Sequence, residues 1–214
     1  MRKLAPIFLV LFAFTLGCGL LDRIKQAGTG GGGSGVTASG DPREDVIAAS
    51  RKFLELPFFS AKMDGVGQTE IKSQVDYAAP DRYHVKYLGG TGAGMELIYV
   101  GSDSYMKNGG KWSKMPGDAK AIPNLRDSFT EEGLRTLSDV AFEKEETLDG
   151  KPALVYSYKN VTPVGDHPFT SKIWIAKDKG IPMKIYVEYS NGALKHMTVN
   201  YDTETPVTIE APIK

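Results

Sequence analysis

The side chains able to do covalent or metal chemistry are few, and they stand apart from one another. The 214-residue chain has one cysteine, Cys18, and three histidines, His84, His167 and His196. A single thiol excludes an internal disulfide framework and any multi-cysteine metal site. A zinc site or a catalytic triad needs its members at set spacing, and none of the histidines has a second His or a Cys near it. No G-x-S-x-G nucleophile turn is present. His84 and His196 fall on the polar side of alternating segments and His167 in a loop beside Pro168, so no catalytic residue is expected. Glu143-Lys144-Glu145-Glu146 reads as a solvated or protective strand edge, not as a calcium site. The run Gly28 to Gly33 has the glycine spacing of a dinucleotide loop, but no strand precedes it and no βαβ unit follows, so it reads as a spacer. Neither a cofactor nor a metal is expected.

The surroundings of Cys18 give the thiol a different use. Arg2 and Lys3 form a short positive start, Ile7 to Leu16 is almost wholly apolar, and Gly17-Cys18 follows. A charged start, an apolar run of about ten residues and a small residue at the cut describe a secretory signal. The run is too short for a permanent span, which needs ~20 residues. Thr15-Leu16-Gly17-Cys18 resembles the lipobox of bacterial lipoproteins, with Thr where the usual pattern has Leu. Residues 1–17 are therefore expected to be removed and Cys18 to carry the lipid that holds the protein at a membrane. The expected location is the cell envelope, on the extracytoplasmic side. Gly19, where inner-membrane retention favours Asp, points to the outer membrane if the source has one.

Loss of Arg2 and Lys3 leaves two more acidic than basic side chains. With no Lys/Arg cluster, nucleic acid is disfavoured as a partner, because that affinity rests on phosphate neutralisation. From Gly28 to Gly40 the chain is mostly Gly, Ser and Thr, a tract too poor in apolar surface to offset its ordering entropy. Residues 18–40 read as a tether of about 25 Å root-mean-square span, and 41–214 as one domain with one core.

That domain must open with a helix. Asp41-Pro42-Arg43-Glu44-Asp45 offers a cap, a proline at the first helical position and acid in the first turn. Val46, Ile47, Ser50, Phe53 and Leu54 share a face, and Pro57 ends the pattern. The period then changes to two: Tyr83, Val85 and Tyr87 alternate with polar residues, as do Ile173 and Ile175, Ile185 and Val187, Met197 and Val199. This is the pattern of antiparallel strands packed on one side and wet on the other. Strands are expected near 58–66, 69–78, 82–89, 95–101, 103–107, 139–147, 152–160, 171–177, 182–190 and 194–202. Asn108-Gly109-Gly110, Asp149-Gly150, Asp178-Lys179-Gly180 and Asn191-Gly192 supply hairpin turns. Between Pro116 and Asp139 the alternation stops, and Ser128-Phe129-Thr130-Glu131 reads as a capping box for a short helix with Leu134 and Leu137 on its apolar face. The expected fold is α+β: one large, curved antiparallel sheet of about ten strands, a half-barrel, with an N-terminal helix and a mid-chain helical insert on its concave face.

Two short helices cover only part of so wide an apolar face. What remains is filled by side chains or occupied by a hydrophobic ligand. The inward row, and hence the candidate ligand-binding set, is Tyr83, Val85, Tyr87, Leu97, Tyr99, Leu154, Tyr156, Ile173, Ile175, Ile185 and Val187. Gly89 to Gly94 reads either as a gating loop or as a plain hairpin turn. Trp112 reads as a cross-strand packing aromatic. Trp174 faces opposite to Ile173 and Ile175, on the outer face beside Tyr186, where it either packs across strands or docks a partner.

The order of elements resembles the LolA-like superfamily of lipoprotein carriers, with the LppX/LprG-type lipoproteins nearest in outline. The segments Tyr99 to Trp112 and Tyr201 to Pro212 are similar to a hairpin and the closing tail of that group, and the resemblance covers most of 42–212. It implies a half-barrel whose apolar cavity takes lipid acyl chains, without cofactor or catalysis. The first expectation is thus a membrane-anchored carrier of a lipid or other hydrophobic small molecule. An interaction or sensor module with a filled core, binding another envelope protein, is the alternative, and a secreted enzyme ranks last.

Overall fold

In the computed structural model, which describes residues 35–68, 70–90, 92–116, 126, 129–161 and 168–213, the first helix is α1, Pro42–Leu54. Its start is set as the sequence implies. The Asp41 carboxylate accepts the Arg43 and Glu44 N–H groups at 3.1 and 3.2 Å, satisfying donors with no partner inside the helix, a contribution of about 1 kcal/mol. Val46, Ile47, Ala49, Ser50 and Phe53 are buried on one face, and the Ser50 hydroxyl is absorbed by the Val46 carbonyl at 2.8 Å.

Among the described residues eleven strands follow: β1 Phe58–Gly67, β2 Ile71–Ala78, β3 Arg82–Gly90, β4 Glu96–Val100, β5 Asp103–Asn108, β6 Lys111–Met115, β7 Ser138–Leu148, β8 Lys151–Val161, β9 Pro168–Ala176, β10 Pro182–Tyr189 and β11 Leu194–Asp202. All pairings are antiparallel, in one open sheet of order β6-β5-β4-β3-β2-β1-β11-β10-β9-β8-β7. Ten strands stand where alternation places them. The eleventh, β6, pairs with β5 through Asn108↔Lys111. Its sequence, Lys-Trp-Ser-Lys-Met, lacks the period-two apolar signal, and lysines on an edge strand discourage further pairing. Both residues of the Gly109-Gly110 turn have positive φ, as do Asp149 and Gly150 in the β7–β8 turn, the geometry that matches strand twist in two-residue hairpins.

The chain thus runs from β1 outward to edge β6, crosses to the opposite edge β7, and returns to pair β11 with β1. Helix α2, Glu131–Arg135, lies in that crossing. Its cap is Thr130, whose Oγ1 accepts the Gly133 N–H, two residues after the expected Ser128. The shift follows from Phe129, which is buried in the core. With Thr130 as cap, Phe129 and the buried Leu134 occupy the flanking positions whose apolar pairing fixes a helix start. Arg51 of α1 pairs with Glu131 at 2.8 Å, and Arg43 donates to the Leu134 carbonyl at 3.3 Å, so the two helices are joined.

One core cluster gathers α1, Phe129, Leu134 and Leu137 with inward side chains from β1–β3 and β8–β11. Strands six places apart in the order, β3 and β8, reach the same cluster because a wide twisted sheet curls toward the face its helices cover. Phe53 is the hub: its ring lies 4.9 Å from Phe59, 4.6 Å from Phe129 and 4.8 Å from Tyr201.

The opposite face is not uniformly wet, which corrects the simple alternation picture. Ile98 and Tyr105 are buried there beneath Ile209 of the segment after β11, with Val207, Trp112 and Val100 packed around them. Arg82 Nη1 donates to the Ile209 carbonyl at 2.9 Å and fastens that tail across β3–β5.

Candidate functional site

The eleven inward residues named from alternation all face one core cluster. Tyr83, Val85, Leu154, Tyr156, Ile173, Ile175, Ile185 and Val187 are buried in it, while Tyr87, Leu97 and Tyr99 are half-buried against it. The register makes them one surface. Phe59 pairs with Tyr77, Tyr77 with Tyr83 and Tyr83 with Tyr99, forming one row across β1–β4. On the other arm Val199 pairs with Ile185, Ile185 with Ile173 and Ile173 with Tyr156.

The half-buried members mark where this face is least covered. Met63 and Tyr87 flank the small Ser73 in register, and Leu97, Tyr99, Met197, Phe169 and Tyr189 are also half-buried against the cluster. Met63, Phe169, Tyr189 and Met197 stand outside the candidate ligand-binding set, although the same alternation places them inward. The stretch Gly89 to Gly94 closes the β3–β4 hairpin beside them: Tyr87 N–H donates to Met95 O at 3.0 Å and Gly94 N–H to Tyr87 O at 2.9 Å. Thr91 lies outside the described residues.

A second feature of this face is its phenols. Tyr77, Tyr83, Tyr87, Tyr99, Tyr156, Tyr158, Tyr189 and Tyr201 all belong to the inner cluster, whereas Tyr105 packs beneath the tail and Tyr186 on the outer side. Burial pushes Tyr158 up to about 12, with the neighbouring Ser171 acting in the opposite direction. Burial also raises Tyr201, Tyr189 and Tyr99, the last with help from Tyr87. Tyr156 is raised first by burial and then by the Asp45 carboxylate that accepts its hydroxyl at 2.8 Å. Tyr99, Tyr156, Tyr158, Tyr189 and Tyr201, raised in this way, stay neutral at physiological pH, so they add aromatic area without adding charge. Among the described residues, Arg126 places a cation on this side. It donates to the Tyr77 hydroxyl and the Leu54 carbonyl, and its guanidinium lies 4.5 Å from the centre of the Tyr77 ring.

Inside the apolar region, a crevice of about 70 Å³ lies between α1 and β8–β9, with Leu154, Tyr156 and Ile175 on its wall. A larger cleft of about 280 Å³ sits at the turns after β7, β9 and β11, lined by charged groups such as Asp149, Lys151, Lys179 and Glu204. Lys151 and Lys179 both pair with Glu204 at 2.8 Å there, beside Asp149, Asp178 and Asp202.

The remaining sequence candidates sit on the outer face or edges. His84 bonds Glu96 at 2.8 Å, and Glu96 also pairs with Lys107 at 2.8 Å. His196 lies with its ring 5.8 Å from Tyr186, and His167 is outside the described residues. Trp174 is on the outer face, but its neighbours are Lys184, 4.8 Å from the ring centre, and Glu146, which accepts its indole N–H. Glu143 and Glu145 pair with Lys172 and Lys177 at 2.8 and 2.7 Å, so the acidic run on edge β7 is held by lysines. Among the described residues no three His, Cys, Asp or Glu stand close enough to hold a metal, and no helix is long and apolar enough to cross a membrane. Cys18 lies outside the described residues.

An open eleven-stranded half-barrel with two helices on its inner face is a known arrangement. No protein-family model matches the chain, and no curated protein matches it in sequence. Among solved structures it is similar to the Mycobacterium tuberculosis lipoprotein LppX, at 13% identity and a TM-score of 0.59, over 81% of this chain and 100% of that one. LprF from Mycobacterium bovis gives 12% identity and a TM-score of 0.61, over 84% of this chain and 100% of that one. MucB gives 17% identity and a TM-score of 0.50, over 81% of this chain and 62% of that one. The chain has the LppX-type fold that its element order resembles.

Proposed function

We propose that this chain is a lipid-anchored lipoprotein of the bacterial cell envelope that holds a hydrophobic ligand, of acyl-chain class, without catalysis. The observation that carries this reading is the apolar and aromatic row of sheet side chains running from Tyr99 on β4 to Tyr156 on β8, with half-buried apolar side chains at Met63, Tyr87, Leu97, Tyr99 and Met197 and with Arg126 at Tyr77 and Asp45 at Tyr156 as its charged neighbours. Burial of an acyl chain on such a face releases about 0.8 kcal/mol per CH₂, and a polar headgroup stays in water at the rim. The ligand-binding set is Tyr83, Val85, Tyr87, Leu97, Tyr99, Leu154, Tyr156, Ile173, Ile175, Ile185 and Val187, with Met63 and Met197 added. The shared fold with a protein named as a lipoprotein supports this reading. The anchor is an acyl group on Cys18, borne on tether 18–40 after removal of 1–17. The location is the extracytoplasmic side of a membrane, the outer one if the source has two.

Mass spectrometry of an organic extract of the purified chain tests the ligand: acyl-bearing molecules in near-stoichiometric amount are expected. An empty extract, together with failure to load a fluorescent fatty acid, removes the carrier reading. A second reading, an envelope interaction module without ligand, is favoured by the close filling around Phe53 and the small size of the crevice beside Tyr156.

A further inference from the structure

The segment just before α1, expected as the end of a free tether, is seated on the domain. Val36 N–H donates to the Lys177 carbonyl at 2.5 Å. Ser39 N–H donates to the Asp45 carboxylate at 3.0 Å, and the same Oδ2 accepts the Tyr156 hydroxyl. Gly180 makes the room: a Cβ there would come 2.8 Å from Lys52 Nζ, 3.2 Å from Val36 Cγ1 and 3.4 Å from Val36 Cγ2. Val36 and Thr37 thereby form one wall of the crevice whose other walls are Ala48, Ala49, Leu154, Tyr156, Ile175 and Gly180, with Asp45 and Lys52 also lining it. The remaining residues from 35 to 40 are mostly exposed, so one half-buried valine, one backbone bond and the Ser39–Asp45 contact hold this strap to the domain.

We propose that Val36 is a built-in plug. The strap 35–39 seats it in the crevice between α1 and β8–β9, and the end of an unbranched apolar chain takes the same space when the strap lifts. Ligand uptake then frees the residues that join the domain to its membrane tether, and a lifted strap favours uptake in return, since such linkage is reciprocal. The inference rests on the hydrophobic-ligand reading above and adds to it a named competitor from the chain itself. A site blocked most of the time binds with an affinity reduced by its open fraction. Seating one valine side chain accounts for a factor of about ten in that fraction.

The test uses the delipidated full chain and cis-parinaric acid, a fluorescent fatty acid, as probe. Hydrogen exchange should show the Val36 amide protected without probe and exposed at saturation, and Val36→Asp should bind the probe about tenfold more tightly, with Val36→Ala in between. Tight probe binding with Val36 still protected, or equal affinities for the three chains, overturns the plug and leaves the carrier reading standing. Absence of probe binding to all three chains overturns both.

Discussion

The Asp45 carboxylate of α1 accepts the Tyr156 hydroxyl of β8 at 2.8 Å, and the Tyr156 ring beneath it is fully buried. This bond ties the helix to the far arm of the sheet at a point where the same-face neighbours on β8 are the buried Leu154 and Tyr158. A hydrogen bond to an ionised group contributes about 1.5–3 kcal/mol, so Tyr156→Phe should lower unfolding free energy by about 2 kcal/mol in urea titrations. An unchanged midpoint would mean that the bond is matched by water in the folded state.

Phe53 should be costlier to remove. Three aromatic rings from β1, the crossing segment and β11 meet it within 5 Å, and none of them can follow the helix inward to close a void. Phe53→Ala is expected to cost about 3–5 kcal/mol, much of the stability of an ordinary domain. A loss below about 1 kcal/mol would show that α1 does not organise the core.

Asp76 governs an acid limb of stability. Burial alone would raise its pKa, but hydrogen bonds from Ser60 and Gln74 at 2.7 Å and the Lys86 ammonium at 3.2 Å outweigh it, so the folded value is held below the ordinary carboxylate range. A depressed folded pKa gives stability that is fully present above the unfolded value of about 3.9 and is lost as pH falls through the folded value. Asp76→Asn should therefore be less stable than the parent at pH 7 and lose less as the pH drops below about 4. Parallel pH–stability curves for the two chains would remove Asp76 from this role.

Much of this architecture is written in the alternation. Tyr83, Val85 and Tyr87, or Ile185 and Val187, can only be strand positions with one buried side, and the cap at Asp41 sets α1 without reference to the rest. What escapes a local reading depends on partners far away in sequence. Strand β6 has one large aromatic among lysines and is a strand because β5 offers an edge. Ile209 lies between prolines in an irregular segment, yet it is buried because Ile98 and Tyr105 need a cover. Val36 sits in a glycine-rich tract and docks only because Gly180 leaves room. For the candidate site, alternation tells which residues point inward, but only packing separates those covered by the helices from those left half-open, such as Leu97 and Met63.

The proposed anchor makes a sharp demand on one atom. With one cysteine in the chain, acylation has no second thiol to use, so Cys18→Ala should release the protein from the membrane fraction and block processing by the lipoprotein signal peptidase. The parent should show globomycin-sensitive cleavage. Continued membrane fractionation of Cys18→Ala after high-salt washing would transfer the anchoring role to another part of the chain.

The half-open end of the inner face offers the most direct probe of ligand binding, because it separates binding from folding. Leu97 and Met63 are half-buried, while Val85 and Ala61 beside them are buried. A carboxylate at the half-open positions keeps access to water and avoids the full cost of a buried charge. An acyl chain lying across them would meet that charge. Leu97→Asp and Met63→Asp should each weaken fatty-acid binding by about tenfold or more while changing the unfolding midpoint little, because the loss of apolar contact falls on the complex. Equal binding by both variants and the parent would move the ligand away from β1–β4, toward the arm formed by β8–β10.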